Sequence, residues 1–113
     1  MLDFTKVNKK FMAVLLVDGT KILVRMPTKK IFDVLFRLRD AMSVVNDPDT
    51  DTDTAQDELD LIYDLTAEIM RNNIAGKPVT SEYLAELFDT EDIQTFYDAY
   101  LAFVTGRISA DPN

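Results

Sequence analysis

The sequence contains no cysteine, histidine or tryptophan, and only three of its 113 residues are glycine. Disulfides, thiolate or imidazole catalysis and zinc sites of the usual kinds are therefore excluded. Three glycines are too few for a glycine-rich phosphate-binding loop. Carboxylates are abundant, but their spacing marks no pair for general acid–base chemistry. We expect a protein that is not an enzyme and that uses no cofactor.

Long hydrophobic runs are also missing. The longest one, Phe11–Val17, has seven residues, whereas a membrane-spanning helix needs about 20. Asp18 and Gly19 follow it, and no small-residue cleavage site is present, so a strand is favoured over a signal peptide. We expect no membrane partner.

Positive charge is scarce after residue 40. Residues 1–40 carry a net charge of +5 and residues 41–113 a net charge of −13, which gives −8 for the chain. Such an acidic chain disfavours nucleic acid as a partner, because phosphate repels it. This uneven charge distribution has two interpretations. It is an ordinary solvated surface, or it serves binding, either by head-to-tail attraction between copies or by providing two faces for different partners.

Two apolar runs on either side of Asp18-Gly19 predict a β-hairpin over residues 11–26 with a two-residue turn. In that register one face holds Phe11, Ala13, Leu15, Ile22, Val24 and Met26. The other face holds Met12, Val14, Leu16 and Leu23 beside two cations, and it is more apolar than a solvated face should be. Either the chain's own N-terminus or a helix covers these four residues, or they are candidate partner-binding residues.

Amphipathic patterns with cap residues predict four helices after the hairpin. Thr28 is a suitable N-cap for the first, Thr54 with Asp57 resembles a capping box for the second, and Asp89 can cap the fourth. The predicted helices cover 28–45, 54–73, 80–88 and 90–105, with an N-terminal segment over 1–10, an acidic loop over 46–56 and a tail over 107–113. The expected fold is α+β: one domain with an N-terminal hairpin packed on about four helices.

The acidic loop contains the sharpest local pattern in the chain. The acidic residues at positions 1, 3, 5, 7 and 12 of a twelve-residue loop match the ligand spacing of an EF-hand. They are Asp47, Asp49, Asp51, Asp53 and Glu58. Position 6 is Thr52, where the EF-hand turn needs glycine, and no second loop is present. A solvated acidic linker is the competing interpretation, and a calcium-responsive helix–loop–helix module is the alternative function.

Three stretches together resemble the tail assembly chaperones of long-tailed bacteriophages and prophages, mainly of Gram-positive hosts. They are VLLVDGTKILVRMPTKKIFDVL, the middle helix ELDLIYDLTAEIMRNN with GKPVT after it, and EYLAELFDTEDIQTFYDAYLAFV. Together they cover roughly residues 11–104. The likeness is one of pattern, length and acidic character, because none of the three is a strict motif.

The resemblance implies a small cytoplasmic protein of the infected or lysogenic host that is absent from the mature virion. It implies a non-enzymatic chaperone that binds the long helical tape measure protein, keeps it soluble and helps to recruit tail tube subunits. Self-association is expected as well. A small structural tail or connector protein is the third interpretation. The family supplies no catalytic residues.

Overall fold

The computed structural model describes residues 1–6, 9–106 and 111–112. In chain order its elements are β1 (Lys10–Leu15), β2 (Lys21–Arg25), α1 (Lys29–Asn46), α2 (Thr52–Arg71), α3 (Ser81–Leu87), α4 (Thr90–Val104) and β3 (Asp111–Pro112). The three strands form one antiparallel sheet in the order β2-β1-β3. The predicted α+β class, a hairpin followed by four helices, is confirmed.

The hairpin has a three-residue turn, so the predicted two-residue turn and its register are wrong. The N–H of Gly19 donates to the carbonyl of Leu16 at 2.9 Å, and the N–H of Leu16 donates to the carbonyl of Thr20 at 2.8 Å. A type I′ turn needs a positive φ at both central residues, but only Gly19 has one, at +90°. Because the turn has one residue more than predicted, Leu15 pairs with Lys21.

A shift of one residue exchanges the two faces of a strand, so Ile22 and Val24 share their face with Met12 and Val14 of β1 and not with Ala13 and Leu15 as predicted. Met12, Leu16, Ile22 and Val24 are all buried. Leu15 lies on the opposite face and is 74% exposed. Met12 and Leu16 are therefore buried, which favours the interpretation that the chain itself covers most of their surface.

Helix caps largely determine where the helices begin. The Thr28 hydroxyl accepts from the N–H of Ile31, as predicted for α1. Asp89 and Asp92 form a reciprocal capping box at the start of α4, which satisfies two backbone donors. α2 begins earlier than predicted, since Asp51 and not Thr54 is its N-cap.

The core lies where α1 and α2 pack on each other and on the inner face of the sheet. The largest fully buried side chains come from β2, all four helices and the segment before α3. They are Tyr100, Ile22, Leu35, Leu38, Ile69, Met70, Leu84, Ile93, Val24, Val79 and Thr66.

The predicted tail over 107–113 contains the short strand β3. Asp111 pairs with Phe11, and Pro112 pairs with Lys10. The tail prediction is therefore wrong at these two residues, and the rest of that segment lies outside the described residues. β3 joins β1 on the side away from β2, and its described residues pair with Lys10 and Phe11.

Candidate partner-binding surfaces

A groove runs between β1 and α4, and we call it the apolar groove. Its volume is about 420 Å³. Apolar side chains from the inner face of β1, from α4 and from the residue after α3 dominate its lining: Met12, Val14, Leu16, Phe88, Phe96 and Ala99. Asp92 is the single charged residue among the described residues that line it.

The rim of the apolar groove is the outer edge of β1. Antiparallel strands direct the backbone groups of alternate residues to alternate sides, and the register turns those of Ala13 and Leu15 away from β2. Within the ranges 1–6, 9–106 and 111–112, no backbone or side-chain group pairs with them. Leu15 and Val17 beside this edge are 74% and 78% exposed. An unpaired strand edge next to apolar surface is a template for a partner.

The outer edge of β2 is closed instead. The carbonyl of Leu23 accepts from the N–H of Ile74 at 3.1 Å, and the N–H of Arg25 donates to the carbonyl of Asn72 at 2.9 Å. The Tyr100 hydroxyl donates to the carbonyl of Arg25 at 2.9 Å. The segment after α2 and a residue of α4 thus satisfy this edge.

Asn73 holds that closing segment in place, and sequence reasoning did not find it. The residue is 5% exposed. Its side-chain amide donates to the carbonyls of Met70 at 2.9 Å and Lys77 at 3.0 Å, and its side-chain oxygen accepts from the N–H of Lys77 at 2.8 Å. A polar residue just beyond a helix end was the available signal, since asparagine side chains often bond locally to the backbone there.

A second surface, the basic groove, lies between residues 4–6, the start of β1 and the end of β2. Its volume is about 800 Å³. Lys6, Lys9, Lys10 and Arg25 line it, and no acidic residue among the described ones does. Asn72 also lines it, and its Nδ2 atom is buried without a hydrogen-bond partner among the described residues.

The acidic loop does not form the arrangement that an EF-hand requires. Asp53 and Glu58 lie within α2, which begins at Thr52, so the second half of the twelve-residue loop is helical. Asp51 is occupied as the N-cap and accepts from Thr54 at 2.7 Å. The part of the chain that the structure describes contains no cluster of three acidic residues arranged to hold a metal ion.

The four predicted partner-binding residues do not lie on one surface in the structure. Met12, Val14 and Leu16 line the apolar groove, but Met12 and Leu16 are nearly buried and form its floor. Leu23 is half-buried on the opposite face of the sheet. The exposed residues of the groove rim are Leu15, which was predicted to share a face with Ile22, and Val17, which was predicted to pair with Thr20 in the strands.

Two tyrosines show how burial and hydrogen bonding act near these surfaces. Burial raises the pKa of Tyr100 well above its ordinary value, so its hydroxyl stays protonated and remains a donor to Arg25. At the hairpin tip the Tyr83 hydroxyl donates to the Asp18 carboxylate at 2.6 Å. This bond, followed by one from the N–H of Thr20, lowers the pKa of Asp18.

Comparisons with protein-family models, with curated proteins and with solved structures found no match for the chain. Among the described residues, no helix combines the length and the apolar character that crossing a bilayer requires.

Proposed function

We propose that the chain is a non-enzymatic tail assembly chaperone that binds a phage tape measure protein and keeps it soluble during tail morphogenesis. The observation that carries the proposal is the apolar groove, whose rim is a strand edge with which no described residue pairs beyond Phe11. It adds to the resemblance over residues 11–104. The one charged side chain among the described residues that line the groove, Asp92, is engaged in the capping box of α4.

The chemistry of the groove suits a long amphipathic client. A helix with a repeating apolar stripe can place that stripe on the side chains of β1 and α4. Leu15 and Val17 at the rim would be covered by the client, which removes apolar surface from water. The net charge of −8 would keep a coated client dispersed by repulsion between copies.

The calcium-responsive alternative loses its main support, because α2 takes up the second half of the loop on which it depended. The structural tail protein remains as the competing function. It differs from the chaperone in one respect that can be measured, namely whether the chain stays in the finished particle.

The test is co-expression with a tape measure protein from the same genome, followed by affinity purification and light scattering. We expect a soluble complex with several copies of this chain per client. Leu15→Asp should abolish it without unfolding the chain, since Leu15 is 74% exposed. The matched control is Leu2→Asp, the same substitution at a leucine that is 70% exposed outside the groove, and it should retain the complex.

A client that stays insoluble, or a complex that both variants retain, would contradict the proposed site. Mass spectrometry of purified particles separates the two remaining functions. Detection of this chain at structural stoichiometry in virions would favour the tail protein, whereas its absence agrees with the chaperone.

A further inference from the structure

The basic groove combines positive charge with apolar side chains that water can reach. Four cations line it, and no acidic residue among the described ones does. Phe4 and Met26 line it as well, and they are 67% and 43% exposed. A solvated group of cations needs no such apolar surface beside it, and exposing that surface to water is unfavourable. The combination therefore indicates a ligand that carries both negative charge and an apolar group.

Arg25 is the cation of the groove whose backbone is held most firmly. Its N–H donates to the carbonyl of Asn72 at 2.9 Å, and its carbonyl accepts from the Tyr100 hydroxyl at 2.9 Å. Its guanidinium forms no ion pair with any described residue. A guanidinium can bind a carboxylate through two parallel hydrogen bonds. Arg25 therefore provides an anchor for an acidic side chain of the ligand.

The three lysines of the groove add positive charge without a fixed geometry. Lys9 and Lys10 form no ion pair with a described residue, and Lys6 approaches Asp3 at 4.0 Å. Both side chains of that pair are exposed, so the pair is weak. Because a lysine ammonium is a point charge on a flexible stem, these residues can neutralise carboxylates at several positions. The ligand is thus expected to carry more than one carboxylate.

The charge outside the groove decides which class of anion fits. The chain has a net charge of −8, and residues 41–113 contribute −13. A polynucleotide or an anionic bilayer extends beyond the groove and is repelled by the acidic remainder of the surface. A short acidic segment of a protein contacts the groove alone. The groove volume of about 800 Å³ is larger than a single phosphate or carboxylate ion requires, which also favours a peptide.

We infer that the basic groove binds an acidic segment of a partner protein, in which carboxylates flank an apolar side chain. Arg25 binds one carboxylate, the lysines neutralise others, and the apolar side chain packs on Phe4 and Met26. The basic groove shares no described lining residue with the apolar groove. The inference therefore does not depend on the proposed client, and a partner held here leaves the apolar groove accessible.

Charge reversal tests the ionic part of the inference. The probe is a short fluorescein-labelled peptide of glutamates around a central phenylalanine, and its binding is followed by fluorescence anisotropy. Lys10→Glu with Arg25→Glu should weaken binding at least about tenfold. Lys21→Glu with Arg37→Glu is the matched control, because it changes the net charge equally at two exposed positions outside the groove, and it should bind as the wild type does.

A second pair of variants tests the apolar part. Phe4→Ser should weaken binding of the probe at least about threefold, the loss expected for one aromatic contact. The matched control is Phe36→Ser, which removes a 44% exposed phenylalanine outside the groove and should leave binding unchanged. A peptide with serine in place of its phenylalanine should bind the wild type and Phe4→Ser equally well. Circular dichroism should show that every variant is folded.

Three further ligands distinguish an acidic peptide from other occupants. They are the same peptide with lysine for every glutamate, an oligothymidylate of equal charge, and vesicles that contain phosphatidylglycerol. Each should bind more weakly than the probe. Tighter binding of any of them, no binding of the probe at about 1 mM, or equal losses in the groove variants and their controls would each overturn the inference.

Discussion

The two outer edges of the same hairpin differ in how far their backbone groups are hydrogen-bonded. The edge of β2 is bonded to the segment after α2 and to Tyr100 of α4. The edge of β1 is bonded only at Lys10 and Phe11, by β3, among the described residues. A free edge is a hazard that proteins usually cover or charge. Among the described residues it is bordered by the exposed side chains of Leu15 and Val17.

Hydrogen exchange should give the largest difference between the edges. The amide of Arg25 is bonded to Asn72, whereas the amides of Ala13 and Leu15 face the open edge. We expect the two open amides to exchange at least about a hundredfold faster, because they need no opening of the fold to reach water. Exchange measured by NMR checks this. Equal protection would mean that another segment of the chain covers β1.

Asn73→Ala should cause the largest loss of stability. It removes a buried amide that makes three bonds of 3.0 Å or less and leaves their backbone partners unsatisfied. We expect a loss of about 2–3 kcal/mol in the free energy of unfolding, measured by urea denaturation. Asn72→Ala is the control, since the Nδ2 of Asn72 has no partner, and it should lose less than about 1 kcal/mol. Equal losses would mean that the amide bonds of Asn73 do not hold the closed edge.

Tyr100→Phe removes a single bond from the closed edge. The part-buried carbonyl of Arg25 would lose its hydroxyl donor, at a loss of about 1 kcal/mol in the free energy of unfolding. Tyr97→Phe is the matched control on the same helix, because the Tyr97 hydroxyl forms no hydrogen bond within the described residues and its removal should change stability less. A larger loss of stability in Tyr97→Phe than in Tyr100→Phe would show that packing alone holds the edge.

Tyr83→Phe gives the smallest expected effect, at the tip that joins the two edges. Loss of the hydroxyl should raise the pKa of Asp18 towards its ordinary value of 3.8. Because the pKa of Asp18 is lowered in the folded state, the carboxylate stabilises the fold above its unfolded pKa. That stabilisation is lost as the pH falls through the folded value. The variant should therefore lose less stability in acid. An NMR titration of the Asp18 carboxyl group checks the shift, and an unchanged pKa would contradict it.

The sequence predicts this fold well where one residue decides the outcome. Thr28 and Asp89 cap α1 and α4 as expected. Prediction failed where two neighbours compete for one role. Asp51 and Thr54 are both good caps, and the earlier one begins α2. Asp18-Gly19 permits a two-residue turn or a three-residue one, and with the longer turn the β1 residues that face the core are Met12 and Val14 instead of Ala13 and Leu15.

The candidate surfaces were predictable only in part, because they depend on contacts between distant parts of the chain. The uneven charge along the sequence indicated that basic and acidic residues lie on different surfaces. No local sequence pattern, however, predicts that residues after α2 form hydrogen bonds with the edge of β2. Leu15 and Leu16 have the same side chain, and only the register decides which one is buried.

The three-residue turn lets the hairpin tip change length without exchanging the faces of the sheet. Deleting Val17, a 78% exposed residue, would leave Asp18-Gly19 as a two-residue turn between Leu16 and Thr20, so Leu15 would still pair with Lys21. Only a shift of the pairing itself by one residue would move the β1 side chains to the other side of the sheet. An alignment gap at residue 17 would therefore mark a protein whose groove keeps the same inward-facing β1 residues.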